Sequence, residues 1–316
     1  MSLVGSWISA MLCRRRTLCL LEVVYEALRG RELDDVLRLS GRLRSELLSL
    51  VILATLLQAN LRAVPDDRLW FVDASSRKLA VVSTHVHPTL AKELGRFALR
   101  KGTWTRMLPP SLQWARTHNR LAEHQELPNG PDPLMTGSRW IWEELVEGST
   151  FRLDTVQPTR RLDHINVSEM LSYGEAEHLA TGDHPDAIRS PRSAIRPLIG
   201  TDSQVGAGCI SKGRCSSPRR NRLVRTFLSN ALSQNLYTYP FWIGTKFNAA
   251  DDPTRDAPVR LPPGPYPSWA LHVIASSCAA LDCRAEHLSH DASAPALSDL
   301  ATARTPLAET VVATSA

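Results

Sequence analysis

The sequence is poor in features that mark several common protein classes. Its six cysteines, Cys13, Cys19, Cys209, Cys215, Cys278 and Cys283, are scattered over 316 residues. That is too sparse for a disulfide scaffold and reads as the reduced thiols of an intracellular protein. The longest apolar stretch, Leu47 to Leu61, is broken by Ser49, Thr55, Gln58 and Asn60. It reads as a buried helix rather than a bilayer span, and no membrane association is expected. At the N-terminus apolar residues precede Arg14, Arg15 and Arg16, the reverse of a secretory signal. There is no glycine-rich phosphate loop and no internal repeat. Between Ser203 and Ala250 there is no Asp or Glu at all.

What is present suits a soluble chain with a substantial core. Apolar residues make up 43%, enough for one medium domain with additions or two small ones. The net charge of +5 permits a polyanionic partner without demonstrating one.

Leu18, Leu21, Val24 and Leu28 recur at helical spacing, and residues 7 to 64 read as helical with a break at Gly30. Turn chemistry at Val64-Pro65-Asp66-Asp67 introduces two short apolar runs, Leu69 to Val72 and Leu79 to Val82, which read as pairing strands. Residues from about 85 to 160 read as a long insertion. A helix is expected from Asn166 to Leu179, with Asn166 as its cap and Glu169 completing a capping box. A weak strand from Pro197 to Thr201 precedes a short helix, Val205 to Ile210. Leu223, Phe227, Leu228, Ala231 and Leu232 mark another helix. Tyr237 to Ile243 reads as a strand that Pro240 pushes towards a sheet edge. Composition then shifts to Pro, Ala, Ser and Thr. Residues 257 to 316 read as a poorly ordered, low-complexity tail with one short helix near 269 to 281.

Four acids fall at element ends. Asp73 ends a strand, Glu169 lies in a first helical turn, Asp202 joins a strand to a helix, and Asp251 opens Asp-Asp-Pro-Thr-Arg. Two-metal hydrolysis of phosphodiesters needs hard oxygen ligands converging from separate elements, and strand ends of a mixed α/β sheet supply such positions. Taken singly, each acid is as well explained by turn formation or helix capping.

The wording and order of the segments go further. Phe71-Val72-Asp73-Ala74-Ser75 resembles the first strand of retroelement RNase H domains. His164-Ile165-Asn166-Val167-Ser168-Glu169 is similar to their His-Ile-Asn-x-x-Glu signature. Thr201-Asp202-Ser203 matches the Asp-Ser step, and Asn248-Ala249-Ala250-Asp251-Asp252-Pro253-Thr254-Arg255 resembles the Asn-x-Ala-Asp-x-x-(Ser/Thr)-Arg ending. Lys212-Gly213-Arg214-Cys215-Ser216-Ser217 is similar to the Lys-Gly-Arg-Ser-Ser run of such regions in retrotransposon polyproteins of the tyrosine-recombinase-associated kind. The resemblance covers residues 10 to 256. It implies an RNase H-like mixed sheet flanked by helices, occupying residues 65 to 256 after a helical N-terminal segment, 1 to 64. It also implies that Asp73, Glu169, Asp202 and Asp251 hold two Mg2+ ions and hydrolyse RNA in an RNA–DNA hybrid. The chain departs from the family at Lys78 and Ala80, where glycines are usual, and at Ser168-Glu169-Met170-Leu171. It lacks a Tyr-x-Asp-Asp polymerase motif. The alternatives are an inactive nucleic-acid-binding remnant and a helical scaffold.

Lys212, Arg214, Arg219, Arg220 and Arg222, with Arg225 and Lys246, lie in the acid-free span. Clustered between two expected metal ligands, the first five form the expected nucleic-acid grip, against the alternative of a solvated helical face. Cys278, Cys283, His287 and His290 have irregular spacing for zinc. His85 and His87 read as an exposed strand end, with both imidazoles on one strand face as the alternative, and His178 and His184 read as surface loop histidines, with help to a general base near Glu169 as the alternative.

Overall fold

The computed structural model describes residues 3–32, 35–99, 139–159, 164–182 and 194–275. It is an α/β fold built on a five-stranded mixed sheet, order β3-β2-β1-β4-β5. The strands are β1 Val64–Ala74, β2 Lys78–His85, β3 Arg152–Pro158, β4 Ile195–Thr201 and β5 Tyr239–Trp242. β2 runs antiparallel to both β1 and β3, whereas β1, β4 and β5 are parallel.

β1 is central because both of its faces are apolar. Leu69 and Phe71 enter one core, and Trp70 and Val72 enter the other. A strand buried on both faces needs a near-continuous apolar run rather than alternation. The expected strand Leu69 to Val72 is therefore present but longer at both ends. The hairpin to β2 closes without glycine. The Ser75 hydroxyl accepts hydrogen bonds from the amides of Arg77 and Lys78 at 3.2 and 3.0 Å. The Ser75 amide donates to the Lys78 carbonyl at 2.7 Å. A local side-chain bond thus replaces glycine's freedom.

Helices cover both faces. On the Phe71 side pack α4 Pro88–Leu94, α5 Arg139–Glu147 and α10 Ser268–Ala275. Phe71 meets Phe151 and Phe241 edge-on at 5.1 and 5.4 Å, and Trp142 stacks on Phe241 at 3.9 Å. Gly200 of β4 is needed there, because a Cβ would fall 2.4 Å from the Phe241 ring. On the Trp70 side pack α6 Ile165–Gly182 and α8 Pro218–Ser233, with α7 Gln204–Lys212 beside them. The N-terminal segment docks on these helices through α1 Leu3–Met11, a 3₁₀ stretch Leu12–Leu21, α2 Glu22–Leu28 and α3 Gly41–Leu53. A two-pronged Arg16–Glu177 ion pair ties it to α6, and Glu177 is fully buried.

Several expectations need correction. β3 and α5 lie within the stretch read as an insertion, and β3 completes one edge of the sheet. β3 lacks an apolar alternation because most of its residues are exposed. Asn166 does not cap α6, which starts one residue earlier. The His164 ring accepts from the Asn166 amide at 3.2 Å instead. The short helix expected near 269 to 281 is found as α10, but its Trp269, Ala270 and Val273 are buried in the core, so the stretch to Ala275 is packed rather than a loose tail. The rest of the expected tail, its Cys278, Cys283, His287 and His290, and His184 lie outside the described residues. Pro240 sits on the edge strand, as expected. Among the described residues no helix is long and apolar enough to cross a membrane.

Gly200 and Gly208 give a paired test of the packing. A Gly200→Ala change overpacks Phe241 and lowers stability by about 1–3 kcal/mol. Gly208→Ala in α7 meets nothing within 4 Å and is neutral or stabilising, by up to about 1 kcal/mol. Thermal melts of the two variants beside the native chain check this. A harmless Gly200→Ala would contradict the close strand-to-ring approach.

Candidate functional site: an acidic cluster at the sheet end

The parallel pairing of β1 and β4 brings two of the sequence-nominated acids together. Its register matches Val72 with Thr201, so Asp73 and Asp202 come one step later, at neighbouring strand ends. Asp73 is buried; Asp202 is half-exposed.

The segment after β5 supports both. The Trp242 indole donates to the Asp202 carbonyl at 2.9 Å, and the Thr245 hydroxyl donates to Asp202 Oδ2 at 2.7 Å. Buried Asn248 donates to the Val72 carbonyl at 3.0 Å and accepts from the Ala250 amide at 3.2 Å. This pins the start of a short helix, α9 Asp251–Thr254, against β1. One turn on, the Thr254 hydroxyl lies 2.7 Å from Asp73 Oδ2 and 2.8 Å from the Asp251 carbonyl, bonding to one of them at a time. Arg255 donates to Asp251 Oδ1 at 2.8 Å.

Glu169 reaches the cluster from α6. Val167, Met170, Tyr173, Ala176 and Ala180 are the buried stripe of that helix, and Glu169 sits at its border beside Ser203. Glu169 Oε2 is buried and has no hydrogen-bond partner. Ser203 itself caps α7, accepting from the Gly206 amide at 3.1 Å.

The acids are coupled electrostatically through Asp73 and Asp202. Burial pushes the Asp73 carboxyl up to about 6, with the nearby charges of Asp202 and Asp251 adding to the rise and Thr254 opposing it. Glu169 is raised by burial and by Asp202 and Asp73, with Ser203 opposing. The Arg255 guanidinium is held charged mainly by Asp251, and Asp73 and Asp202 act in the same direction. Glu169, Asp202 and Asp251 thus each lie within charge-interaction range of Asp73.

These donors fit divalent cations in their chemistry. They are hard carboxylate oxygens, they repel one another, and one of them is buried and unpartnered. They are not already arranged as a metal cage. Among the described residues no three His, Cys, Asp or Glu side chains form a metal-holding group, while Thr254, Thr245 and Arg255 engage the oxygens of Asp73, Asp202 and Asp251.

The basic residues divide. Lys212, Arg214, Arg219 and Arg222 are exposed and Arg220 is half-buried near Cys209. Arg214 lies over the Tyr25 ring at 5.0 Å. Arg225, outside the expected five, is half-exposed and already engaged. It donates to Glu46 at 3.1 Å and to the Cys19 carbonyl at 3.2 Å, holding the N-terminal segment. α7 leads directly from Ser203 to Lys212, so the exposed basic group begins about 13 Å along the helix from the acids. Thr245, Thr254 and Arg255 were not nominated from sequence. Asp-Asp-Pro-Thr-Arg carried the signal for the last two, since Thr254 and Arg255 follow Asp251 at one helical turn.

A raised carboxyl pKa has a definite stability signature. The folded state binds the Asp73 proton more tightly than the unfolded chain, so this contribution is fully present below about pH 4 and is lost as pH rises through about 6. The loss is on the order of 2–3 kcal/mol. Without added metal, Asp73→Asn is expected to melt above the native chain at pH 7.5, and the gap should narrow as pH falls towards 4.5. A pH-independent gap would contradict the buried, charge-crowded position.

Comparison with protein-family models and with curated proteins finds no match.

Proposed function

We propose that the chain is an RNase H-like protein of tyrosine-recombinase-type retroelement origin that hydrolyses RNA in RNA–DNA hybrids. The observation that carries the reading is the convergence of four ordered motif acids at one end of a mixed, helix-flanked sheet. Asp73, Glu169, Asp202 and Asp251 would hold two Mg2+ ions. The chemistry such bound ions supply is activation of the attacking water and stabilisation of the leaving oxygen.

The chain's own groups have separate tasks. Asp73 and Asp202 are fixed by backbone pairing, so their spacing is a property of the sheet. Thr254, Thr245 and Ser203 orient the carboxylates, and Asp73 takes up a proton near pH 6 when no cation offsets the crowding. Lys212, Arg214, Arg219, Arg220 and Arg222 would bind phosphates of the hybrid backbone, an interaction that positions without reading sequence.

A second reading, an inactive nucleic-acid-binding remnant, is favoured by one observation. Hydroxyls and Arg255 already engage three of the acids, and no metal-holding group stands formed among the described residues.

Cleavage of a hybrid in Mg2+ by the native chain and by Asp202→Asn separates the two. The enzyme reading expects the variant to lose at least about a hundredfold in rate. Equal rates would overturn it. No cleavage by either, with salt-dependent hybrid binding, would establish the remnant. In the same binding assay, replacing either Lys212 or Arg222 by Ala should make the salt slope shallower by about one, the value for a single phosphate neutralised. An unchanged slope would remove that residue from the grip.

A further inference from the structure

Cys209 and Cys215 lie on either side of Lys212-Gly213-Arg214, one in the last turn of α7 and the other just beyond it. Their Sγ atoms are 2.9 Å apart, and both thiols are free. Reaching the roughly 2.05 Å of a disulfide needs a shift of under about 1 Å.

The loop between them is held in place. Gly213 adopts a left-handed φ of +70°, caps α7, and packs so closely on the Arg15 carbonyl that a Cβ would fall 1.9 Å from it. The Cys215 amide donates to Asn221 Oδ1 at 3.0 Å. Asn221 in turn donates to the Cys19 carbonyl and to Glu22, each at 2.9 Å. The N-terminal segment therefore clamps the turn and keeps the sulfurs facing each other.

We propose that Cys209 and Cys215 are a thiol–disulfide exchange site that closes a reversible intramolecular disulfide, with a low-molecular-weight disulfide such as oxidised glutathione as oxidant. Cys215, the more exposed of the two, attacks first as its thiolate. The oxidant's S–S bond breaks, one glutathione thiolate leaves, and a mixed disulfide forms. The Cys209 sulfur then attacks the Cys215 sulfur, the second glutathione leaves, and the Cys209 proton ends on it. Two cysteine thiols are oxidised and one glutathione disulfide is reduced to two thiols. Burial and the neighbouring Cys215 push the Cys209 thiol up to about 12, which makes it the poorer nucleophile and leaves the first attack to Cys215, while Arg220 and Lys212 favour its thiolate for the second step. The closed ring would contain Lys212 and Arg214, so oxidation would fix part of the exposed basic group. The proposal stands whether or not the chain cleaves hybrids.

The test is peptide mapping of the full native chain after incubation with oxidised glutathione, quenched with N-ethylmaleimide. Trypsin cuts after Lys212 and Arg214, separating the cysteines, so a disulfide survives as two joined peptides. The expected product is that joined pair, lighter by two hydrogens and released by dithiothreitol. Cys209→Ser should instead retain glutathione on Cys215. Exposed Cys13 reports that the oxidant has acted. Full alkylation of both Cys209 and Cys215 while Cys13 carries glutathione would overturn the proposal. So would a linkage that appears only in denaturant.

Discussion

The site depends first on the parallel pairing of β1 with β4. That register places Asp73 beside Asp202 whatever the side chains prefer, and the remaining contributions are built onto it. Asn248 fastens the next segment to the Val72 carbonyl, and α9 then presents Thr254 to Asp73. The β4–β5 pairing on the other side of β4 sets Gly200 opposite Phe241. β4 can lie against the Phe241 ring only where no side chain intervenes, and Asp202 follows two residues later. Packing of the aromatic core and placement of the acids are thus one constraint.

The site concentrates negative charge. Asp73, Glu169, Asp202 and Asp251 crowd a partly buried space, and the protein offsets this with Thr254, Thr245, Ser203, Arg255 and a proton on Asp73. A structural role alone gives no reason to gather such acids, since self-repulsion and burial both work against folding. Functional sites are where such costs are usually found. The N-terminal segment bears on the basic side of the same geometry. It buries the Arg16–Glu177 pair, takes Arg225 as an internal partner, and leaves Lys212, Arg214, Arg219 and Arg222 outward.

Much of this was legible in the sequence. The strand ends at Asp73 and Asp202 could be read because apolar runs stop there, and Pro240 announced an edge strand. β3 could not, because an edge strand with most of its side chains exposed carries no apolar periodicity. Asn166 was a plausible cap by residue type, but the ring of His164 took that role. Arg225 looked like its surface neighbours, since pairing with Glu46 is a long-range event that local composition does not encode. The charge coupling of Asp73 with Asp202 and Asp251 likewise needed the three-dimensional fold.

The convergence of the acids is tested most directly by following the Asp73 carboxyl by carbon NMR through a pH titration without metal, in the native chain and in Asp202→Asn. The expected result is a midpoint near 6 in the native chain that falls when the neighbouring charge is removed. A midpoint in the ordinary aspartate range, or one that Asp202→Asn leaves unmoved, would contradict the shared site.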